Sequence, residues 1–192
     1  AVVDDIADHI NDGSSYTGGL AGRVVDSTLT GVMVSGAVTG GDSTGGLAGY
    51  LSIGNLGQSA SAVRVQGAND TGGLVGRVES DAPINQSYSL GNVGGAGNVG
   101  GLVGYLLYGT ITDSYARGLV SGIDTVGGLV GSAGSVTVTS YNGYTYRSYS
   151  TGLVSGTGSS VGGLIGLLTR GSAADSYWDT ETSGQTSSSG GA

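Results

Sequence analysis

Apolar residues return to the same positions of a repeating unit of 27 or 28 residues along most of this chain. Polar residues and glycines separate them. Three columns of such positions recur: Leu29, Leu56, Ile84 and Ile111; Met33, Ala60, Tyr88, Tyr115, Tyr149 and Tyr177; and Val38, Val65, Val93, Val120 and Val154. Short apolar segments bounded by Gly, Ser, Thr, Asn or Asp are typical of strands. The pattern therefore predicts three short strands per unit, joined by tight turns.

The same period carries the motif Gly-Gly-Leu-(Ala/Val/Ile)-Gly. It begins at Gly18, Gly45, Gly72, Gly100, Gly127 and Gly162, at intervals of 27, 27, 28, 27 and 35 residues. A unit this short cannot bury its apolar face alone, so the copies must stack. Each copy also contains interior glycines, which cost a helix roughly 1 kcal/mol apiece relative to alanine. The sequence predicts an all-β β-solenoid of about six coils over residues 18–175.

One leucine column is invariant within the motif and is predicted to point inward as a ladder. It comprises Leu20, Leu47, Leu74, Leu102, Leu129 and Leu164. Each buried leucine contributes roughly 1.5–3 kcal/mol, so this column should be a major part of the stability.

Residues 1–17 depart from the repeat. Ile6 and Ile10 fall roughly where the apolar columns of a preceding coil would lie. Together with Val2, Val3 and Ala7 they also fit one face of a helix. The segment is predicted to form either a degenerate coil or a short capping helix. Either would cover the first open edge of the stack, where an exposed strand could template further pairing.

The interval of 35 residues indicates an insertion of about eight residues within 136–146. Asn142 and Gly143 lie between alternating β-forming residues, which is a strong hairpin signal. The segment therefore predicts a β-hairpin that bears Tyr141, Tyr144 and Tyr146. A protruding hairpin would favour recognition, because tyrosines offer contact area and a polar tip. A hairpin folded flat on the rod would instead shield apolar surface.

Residues 176–192 are predicted to form a terminal coil and a Gly/Ser-rich tail. Tyr177 and Trp178, the single tryptophan, mark the last corner. The tail should be mobile unless it packs back onto its own rod or docks onto another subunit. No terminal helix is evident in the sequence.

Composition narrows the range of partners. Six arginines, no lysine and fourteen acidic residues give a formal charge of −8, which disfavours nucleic acid because phosphate neutralisation needs a basic patch. The chain has no cysteine, which fits a secreted bacterial protein. It also lacks a run of 18 or more apolar residues, so direct insertion into a membrane is not expected.

Residues suited to catalysis or cofactor binding are sparse. With His9 as the single histidine, neither a Ser-His-Asp site nor a multi-histidine metal site is expected. Acidic residues form no repeated column, so neither a glycosidase site nor a calcium ladder is predicted. Alternation of Arg23, Tyr50, Arg77 and Tyr105 suggests guanidinium-on-ring stacking between coils. The tyrosine column could form a sugar-stacking strip, but a partly buried structural role is favoured. No enzyme activity, cofactor or metal is predicted.

The repeat resembles the GLUG motif. The likeness rests on Gly100–Gly104, Ser114–Ala116 and Gly118–Gly122, and on the closing segment Ser176–Gly184. GLUG repeats occur as non-catalytic segments of bacterial IgA-cleaving peptidases and of large surface or secreted adhesin-like proteins. The resemblance implies an extracellular or cell-surface location and supplies no catalytic residue.

These observations lead to three functional hypotheses. The first is a non-enzymatic extracellular structural protein, a rigid segment of a surface or secreted fibre that self-assembles head to tail or adjoins other domains of a larger protein. The second is an adhesin module that binds glycan or protein through Tyr141, Tyr144 and Tyr146 or through Tyr177 and Trp178. The third is an accessory repeat of a larger peptidase.

Overall fold

The computed structural model describes residues 2–6 and 15–191. Over residues 16–178 the chain winds into six coils, and each coil visits four parallel sheets in the same order. The predicted all-β β-solenoid is therefore confirmed. Equivalent strands pair in register, so that Gly45 aligns with Gly18 on one side and Gly72 on the other.

The four sheets are numbered in the order in which a coil visits them. The first contains Tyr16–Gly18, Ser43–Gly45, Asp70–Gly72, Asn98–Gly100, Thr125–Gly127 and Ser160–Gly162. The second contains Ala21–Val25, Ala48–Ser52, Val75–Glu79, Val103–Leu106, Val130–Ala133 and Ile165–Leu168. The third contains Thr28–Thr30, Asn55–Gly57, Ile84–Asn85, Gly109–Thr112, Gly143–Tyr146 and Gly171–Ala174. The fourth contains Val2–Ile6, Met33–Thr39, Ala60–Gln66, Tyr88–Ser89, Val93–Gly94, Tyr115–Ala116, Val120–Gly122, Tyr149–Ser150, Val154–Gly156 and Tyr177–Trp178.

The prediction of three strands per coil is wrong. Each coil has at least four strands, because the Gly-Gly-Leu motif lies at a turn between a strand of the first sheet and a strand of the second. In the middle coils the strand of the fourth sheet also divides into two short pieces, such as Tyr88–Ser89 and Val93–Gly94.

Glycine at the end of the motif lets the first and second sheets approach each other closely. A Cβ atom at Gly104 would lie 2.5 Å from the backbone nitrogen of Thr71 in the preceding coil. A Cβ atom at Gly49 would likewise lie 2.5 Å from the backbone nitrogen of Thr17. A residue larger than glycine would force the two sheets apart at this point.

The leucine ladder occupies the centre of the stack. Leu47, Leu74, Leu102, Leu129 and Leu164 have no exposed surface. Leu20 departs from the prediction and is 38% exposed, because it lies in the first of the six coils and has a coil on one side only within the described residues. The valine column Val38, Val65, Val93, Val120 and Val154 also points inward and is at most 2% exposed.

The N-terminal residues 2–6 form a strand, not a helix. Val2–Ile6 pairs in parallel with Met33–Thr39 and extends the fourth sheet by one strand. Ile6 aligns with Gly36, whereas Ile10 lies outside the described residues. The segment thus continues the stack at one of its four sheets.

A single turn of helix, Thr180–Ser183, follows the last strand. Asp179 caps its N-terminus, since its side chain accepts from the backbone nitrogens of Glu181 at 2.9 Å and Thr182 at 3.1 Å. Gly184 ends it in the left-handed conformation, with φ of 69°. The sequence pattern missed this helix because one turn is too short to show an apolar period.

We expect Leu102→Ala to lower the free energy of unfolding by about 2–5 kcal/mol, through lost burial and a cavity in mid-stack. Chemical denaturation followed by circular dichroism measures the change. Leu20→Ala is the matched control, because the same side chain in the same column is 38% exposed and should lose clearly less. Equal losses at the two positions would contradict the ladder.

Candidate functional site

A column of tyrosines lies on the outer surface, and a buried serine column lies next to it in the sequence. Its members are Ser59, Ser87, Ser114, Ser148 and Ser176. The Ser114 hydroxyl accepts from the Ser87 backbone nitrogen at 3.1 Å and donates to the Thr112 carbonyl at 2.8 Å. The other serines repeat this pair of hydrogen bonds. The column therefore links neighbouring coils by hydrogen bonds at the corner between the third and fourth sheets.

The residue before each serine turns the corner in the left-handed conformation. Gln58, Gln86, Asp113, Arg147 and Asp175 have φ between 46° and 52°. Such a conformation is uncommon for residues other than glycine. Two of them form a bidentate ion pair across one coil spacing, with Arg147 to Asp113 distances of 2.7 and 2.9 Å. The hydrogen bonds from Arg147 lower the pKa of the exposed Asp113 carboxyl.

The corner directs the following tyrosine outward in successive coils. The rings of Tyr88 and Tyr115 stack with centroids 4.9 Å apart and planes 1° from parallel. Those of Tyr115 and Tyr149 follow at 5.0 Å and 9°. Because each ring covers the face of the next, a sugar ring has no free face to stack on between them. The column is thus half-buried and structural in its middle, while Tyr177 at its end is 54% exposed.

Arg117 lies against this tyrosine ladder. Its guanidinium carbon is 5.0 Å from the ring centroid of Tyr115 and 6.0 Å from that of Tyr149. It also donates to the Tyr149 hydroxyl at 3.1 Å. That hydrogen bond raises the pKa of Arg117, and burial raises the pKa of Tyr115.

The alternating column of arginine and tyrosine lies on the second sheet and stacks as predicted. Arg23 lies 5.1 Å from the ring centroid of Tyr50, and Arg77 lies 4.8 Å from that of Tyr105. Burial raises the pKa of Tyr105 even though the neighbouring Arg77 opposes the change.

Arg77 is also the centre of an ion-pair cluster beside that column. It is 2.9 Å from Asp70 and 2.7 Å from Glu79, and the Tyr50 hydroxyl donates to Glu79 at 2.8 Å. The groups of this cluster satisfy one another, which favours a structural role.

The predicted hairpin at 136–146 is absent. Gly143–Tyr146 is a regular strand of the third sheet, paired in parallel with Gly109–Thr112 and Gly171–Ala174. The inserted residues instead form a loop before that strand. Pairing with two flanking coils outweighs the local turn preference of Asn142 and Gly143, because each partner strand supplies backbone hydrogen bonds that a hairpin turn would forgo.

The three tyrosines of this segment and Tyr108 of the preceding coil form two stacked pairs, which together we call the aromatic patch. Tyr141 is 37% exposed and stacks on Tyr108 with centroids 5.5 Å apart. Tyr144 and Tyr146 are half-buried on the outer face of the third sheet, with centroids 6.0 Å apart. This patch lies on a different sheet from the tyrosine ladder.

Tyr177 and Trp178 do not form a common corner site, because they point to opposite sides of their strand. Trp178 packs against the core and lies over Gly163, and its indole nitrogen donates to the Gln185 carbonyl at 2.9 Å. The tail then folds back onto the last coil. The Ser188 hydroxyl accepts from the Ile165 nitrogen at 2.9 Å, and the Ser189 nitrogen donates to the Ile165 carbonyl at 3.0 Å.

Chemical groups for metal binding are not clustered in the described part of the chain. No group of three or more histidine or acidic side chains occurs there, and His9 lies outside it. The one helix within residues 2–6 and 15–191 is too short to cross a membrane.

A family model for the GLUG motif matches residues 95–121, from the approach to strand Asn98–Gly100 into strand Val120–Gly122. The chain is therefore a β-solenoid that carries a GLUG motif at residues 95–121. The match covers most of the fourth coil, and the in-register pairing places the other coils on the same plan.

A solved structure with a similar fold is that of a Bacteroides ovatus protein provisionally assigned as an immunoglobulin A1 protease. The TM-score is 0.65 and the sequence identity 22%. The alignment covers 78% of this chain and 51% of that protein, so the chain spans about half its length. The likeness establishes the fold alone. No curated protein sequence matches the chain.

Two features of the surface escaped the sequence pattern. The serine column was interpreted only as polar flanking residues, although its fixed place one residue before each tyrosine was a usable signal. Arg64 belongs to none of the repeated columns, although a comparison of the charges on the four sheets distinguishes it.

We expect Ser114→Ala to lower the free energy of unfolding by about 1–3 kcal/mol, because the buried Ser87 nitrogen loses its acceptor. Ser121→Ala is the control, since the Ser121 hydroxyl is half-buried and lies 3.5 Å from its acceptor, the Val93 carbonyl. Thermal and urea unfolding of both variants measure the difference. If Ser114→Ala lowers the free energy of unfolding no more than Ser121→Ala does, the serine column does not stabilise the contact between coils.

Proposed function

We propose that this chain is a non-enzymatic, extracellular structural segment, a short rigid rod within a surface or secreted protein. The observation that carries the proposal is the unbroken parallel register of all four sheets through six coils. Coils about 4.8 Å apart give a rod on the order of 30 Å long. Even the longest interval keeps this register, because the extra residues loop out before strand Gly143–Tyr146.

The use of the outer side chains supports a structural role. The polar groups best suited to chemistry contact one another across coils: Arg77 with Asp70 and Glu79, and Arg147 with Asp113. The leucine column packs, and the serine column forms hydrogen bonds, between neighbouring coils. A surface built from such mutual contacts stiffens the rod instead of holding reactive groups free.

Composition and the likeness to GLUG-motif proteins support the proposed extracellular location. The chain has no cysteine, as in many bacterial proteins that remain stable outside the cell without disulfides. The GLUG motif and the shared fold with a protein assigned to act on immunoglobulin A1 point to the same compartment. In a longer protein the rod would hold neighbouring domains at a fixed distance.

The C-terminal tail restricts head-to-tail assembly of such rods. Residues Ser187–Ser189 form hydrogen bonds with Gly163 and Leu164 in the turn after the first sheet and with Ile165 and Gly166 of the second sheet, where a further coil would otherwise pair. A second copy can therefore stack on the last coil only if the tail is displaced.

Partner binding through the aromatic patch of Tyr108, Tyr141, Tyr144 and Tyr146 is a second candidate function. It is favoured by the exposure of Tyr141 and by the two stacked pairs, Tyr108 with Tyr141 and Tyr144 with Tyr146. Tyrosines offer large contact area at low entropic cost. Glycan or protein recognition by this patch would coexist with the structural role.

The structural proposal predicts that the purified chain leaves immunoglobulin A1 intact. Gel electrophoresis after prolonged incubation checks this, with an active immunoglobulin A1 protease as positive control. Small-angle X-ray scattering of the same sample should give a compact rod whose dimensions do not change with concentration. Specific cleavage that is lost on denaturing the chain would contradict the proposal.

Removing the tail should expose the last coil and cause self-association. We expect a chain that ends at Gly184 to sediment as larger species as its concentration rises, while the full chain does not, because exposed strand edges template pairing. Ser189→Pro is a milder second variant, since it removes the donor to Ile165 and leaves the rest of the tail in place. If both variants fold by circular dichroism and stay monomeric, the tail is not what limits stacking.

A further inference from the structure

Charge is distributed unevenly around the rod. Between its two end strands, Val2–Ile6 and Tyr177–Trp178, the fourth sheet and the links within it occupy residues 33–39, 60–66, 88–94, 115–122 and 149–156, and these contain Arg64 and Arg117 but no acidic residue. Asp4 and Asp5, in strand Val2–Ile6, and Asp179 lie beyond the two ends of this surface, which we call the fourth-sheet face. A chain with a formal charge of −8 thus keeps one side face that carries positive charge only.

Arg64 is exposed, and no hydrogen bond, ion pair or ring contact links its side chain to another described residue. The other five arginines all have such a partner, including Arg170, which donates to the Ser135 carbonyl at 3.1 Å. An unpaired guanidinium has five N–H donors in a planar arrangement that matches a carboxylate. Arg64 is therefore available to an anionic ligand.

Arg64 also lies between two hollows on the fourth-sheet face. One, of about 240 Å³, is lined by Arg64, Gln66, Asn92, Leu119 and Ser121 together with backbone of the same strands. The other, of about 260 Å³, is lined by Arg64, Gln66, Ala37, Val38 and Thr39. Both are lined by Arg64 and Gln66, so together they form a groove along the rod axis that runs past these two side chains.

The groups that line this groove suit a polyhydroxylated acid. Asn92 uses its carbonyl oxygen to accept from the Leu119 nitrogen at 3.1 Å, which leaves its amide NH₂ to donate. Thr39, Gln66 and Ser121 add hydroxyl and amide groups. Leu119, which is 38% exposed, offers an apolar surface to the C–H side of a sugar ring.

A peptide fits this groove less well. Peptides commonly bind a sheet by adding a strand at its edge, where backbone groups are free. The groove instead lies on the face of the sheet, where the strands on either side already pair with each other. A ligand here must be recognised by side chains alone, which favours a glycan.

We propose that the groove around Arg64 binds an acidic glycan, with the guanidinium holding the carboxylate of a uronic or sialic acid residue. Arg117 lies two coils further along the same face, about 10 Å along the axis, and adds attraction for the negative charge. This proposal goes beyond the structural role and does not depend on it.

Titration of the full chain with sialyllactose and with a galacturonic acid oligomer, followed by amide NMR shifts, tests this proposal. Lactose and a neutral glucose oligomer are the matched controls. We expect shifts centred on Arg64, Gln66 and Asn92 with at least one acidic glycan, weakening as salt is added. Arg64→Gln should weaken binding roughly tenfold or more, because a charge-assisted bidentate contact is lost. It should leave the unfolding temperature unchanged, since Arg64 has no partner within the chain.

Arg170→Gln and Tyr141→Ala are control variants. Arg170 is an exposed arginine outside the fourth-sheet face, and Tyr141 belongs to the aromatic patch, so both should bind like the unaltered chain. Equal binding of neutral and acidic glycans, no binding of either acid, or an unchanged affinity in Arg64→Gln would overturn the proposal. A polyglutamate peptide that binds as tightly as the glycans, with the same dependence on Arg64, would also overturn it and assign the groove to acidic peptides.

Discussion

In-register stacking of one coil on the next is the constraint on which every other feature depends. Because each strand pairs with the same strand of its neighbours, each residue lies about 4.8 Å from its own equivalent in the next coil. Side chains that make favourable contacts with an identical side chain therefore form columns, such as buried leucines, hydrogen-bonded serines and stacked tyrosines. Charged residues cannot repeat in this way, and so Arg23 and Arg77 are separated by Tyr50, and Arg147 meets Asp113.

The sequence predicted the architecture well where a column repeats in every coil. The period and all six motif leucines follow from spacing alone, and five of these leucines have no exposed surface. The strand count failed because the Gly-Gly-Leu motif marks a turn between two strands, which the three apolar columns do not reveal. Spacing shows that positions are equivalent but not which way they point, and the left-handed residue before each serine decides that direction.

Sequence reasoning was weakest where a local signal competed with stacking. Asn142 and Gly143 favour a hairpin turn in isolation, yet Gly143 aligns with Gly109 and Gly171 and joins the third sheet. Trp178 looked like a recognition residue, but its alignment with Ser150 places it on the inner side of its strand. In both cases pairing with neighbouring coils supplies more contacts than the local conformation would. The hydrogen bonds of the tail could not be predicted from local sequence either, because their partners lie in the last coil.

Interruptions of a repeat are natural places to look for function, yet in this chain the clearest of them have structural uses. The insertion loops out so that the third sheet stays continuous, and the tail and Trp178 close the last coil. A different kind of departure occurs inside the regular part, where one column reads Ala37, Arg64, Asn92, Leu119 and Leu153. Here the backbone keeps the repeat while the side chains vary, so the scaffold is preserved and the surface is free to differ from coil to coil. A solenoid can therefore carry binding specificity on a regular face without any loss of stacking.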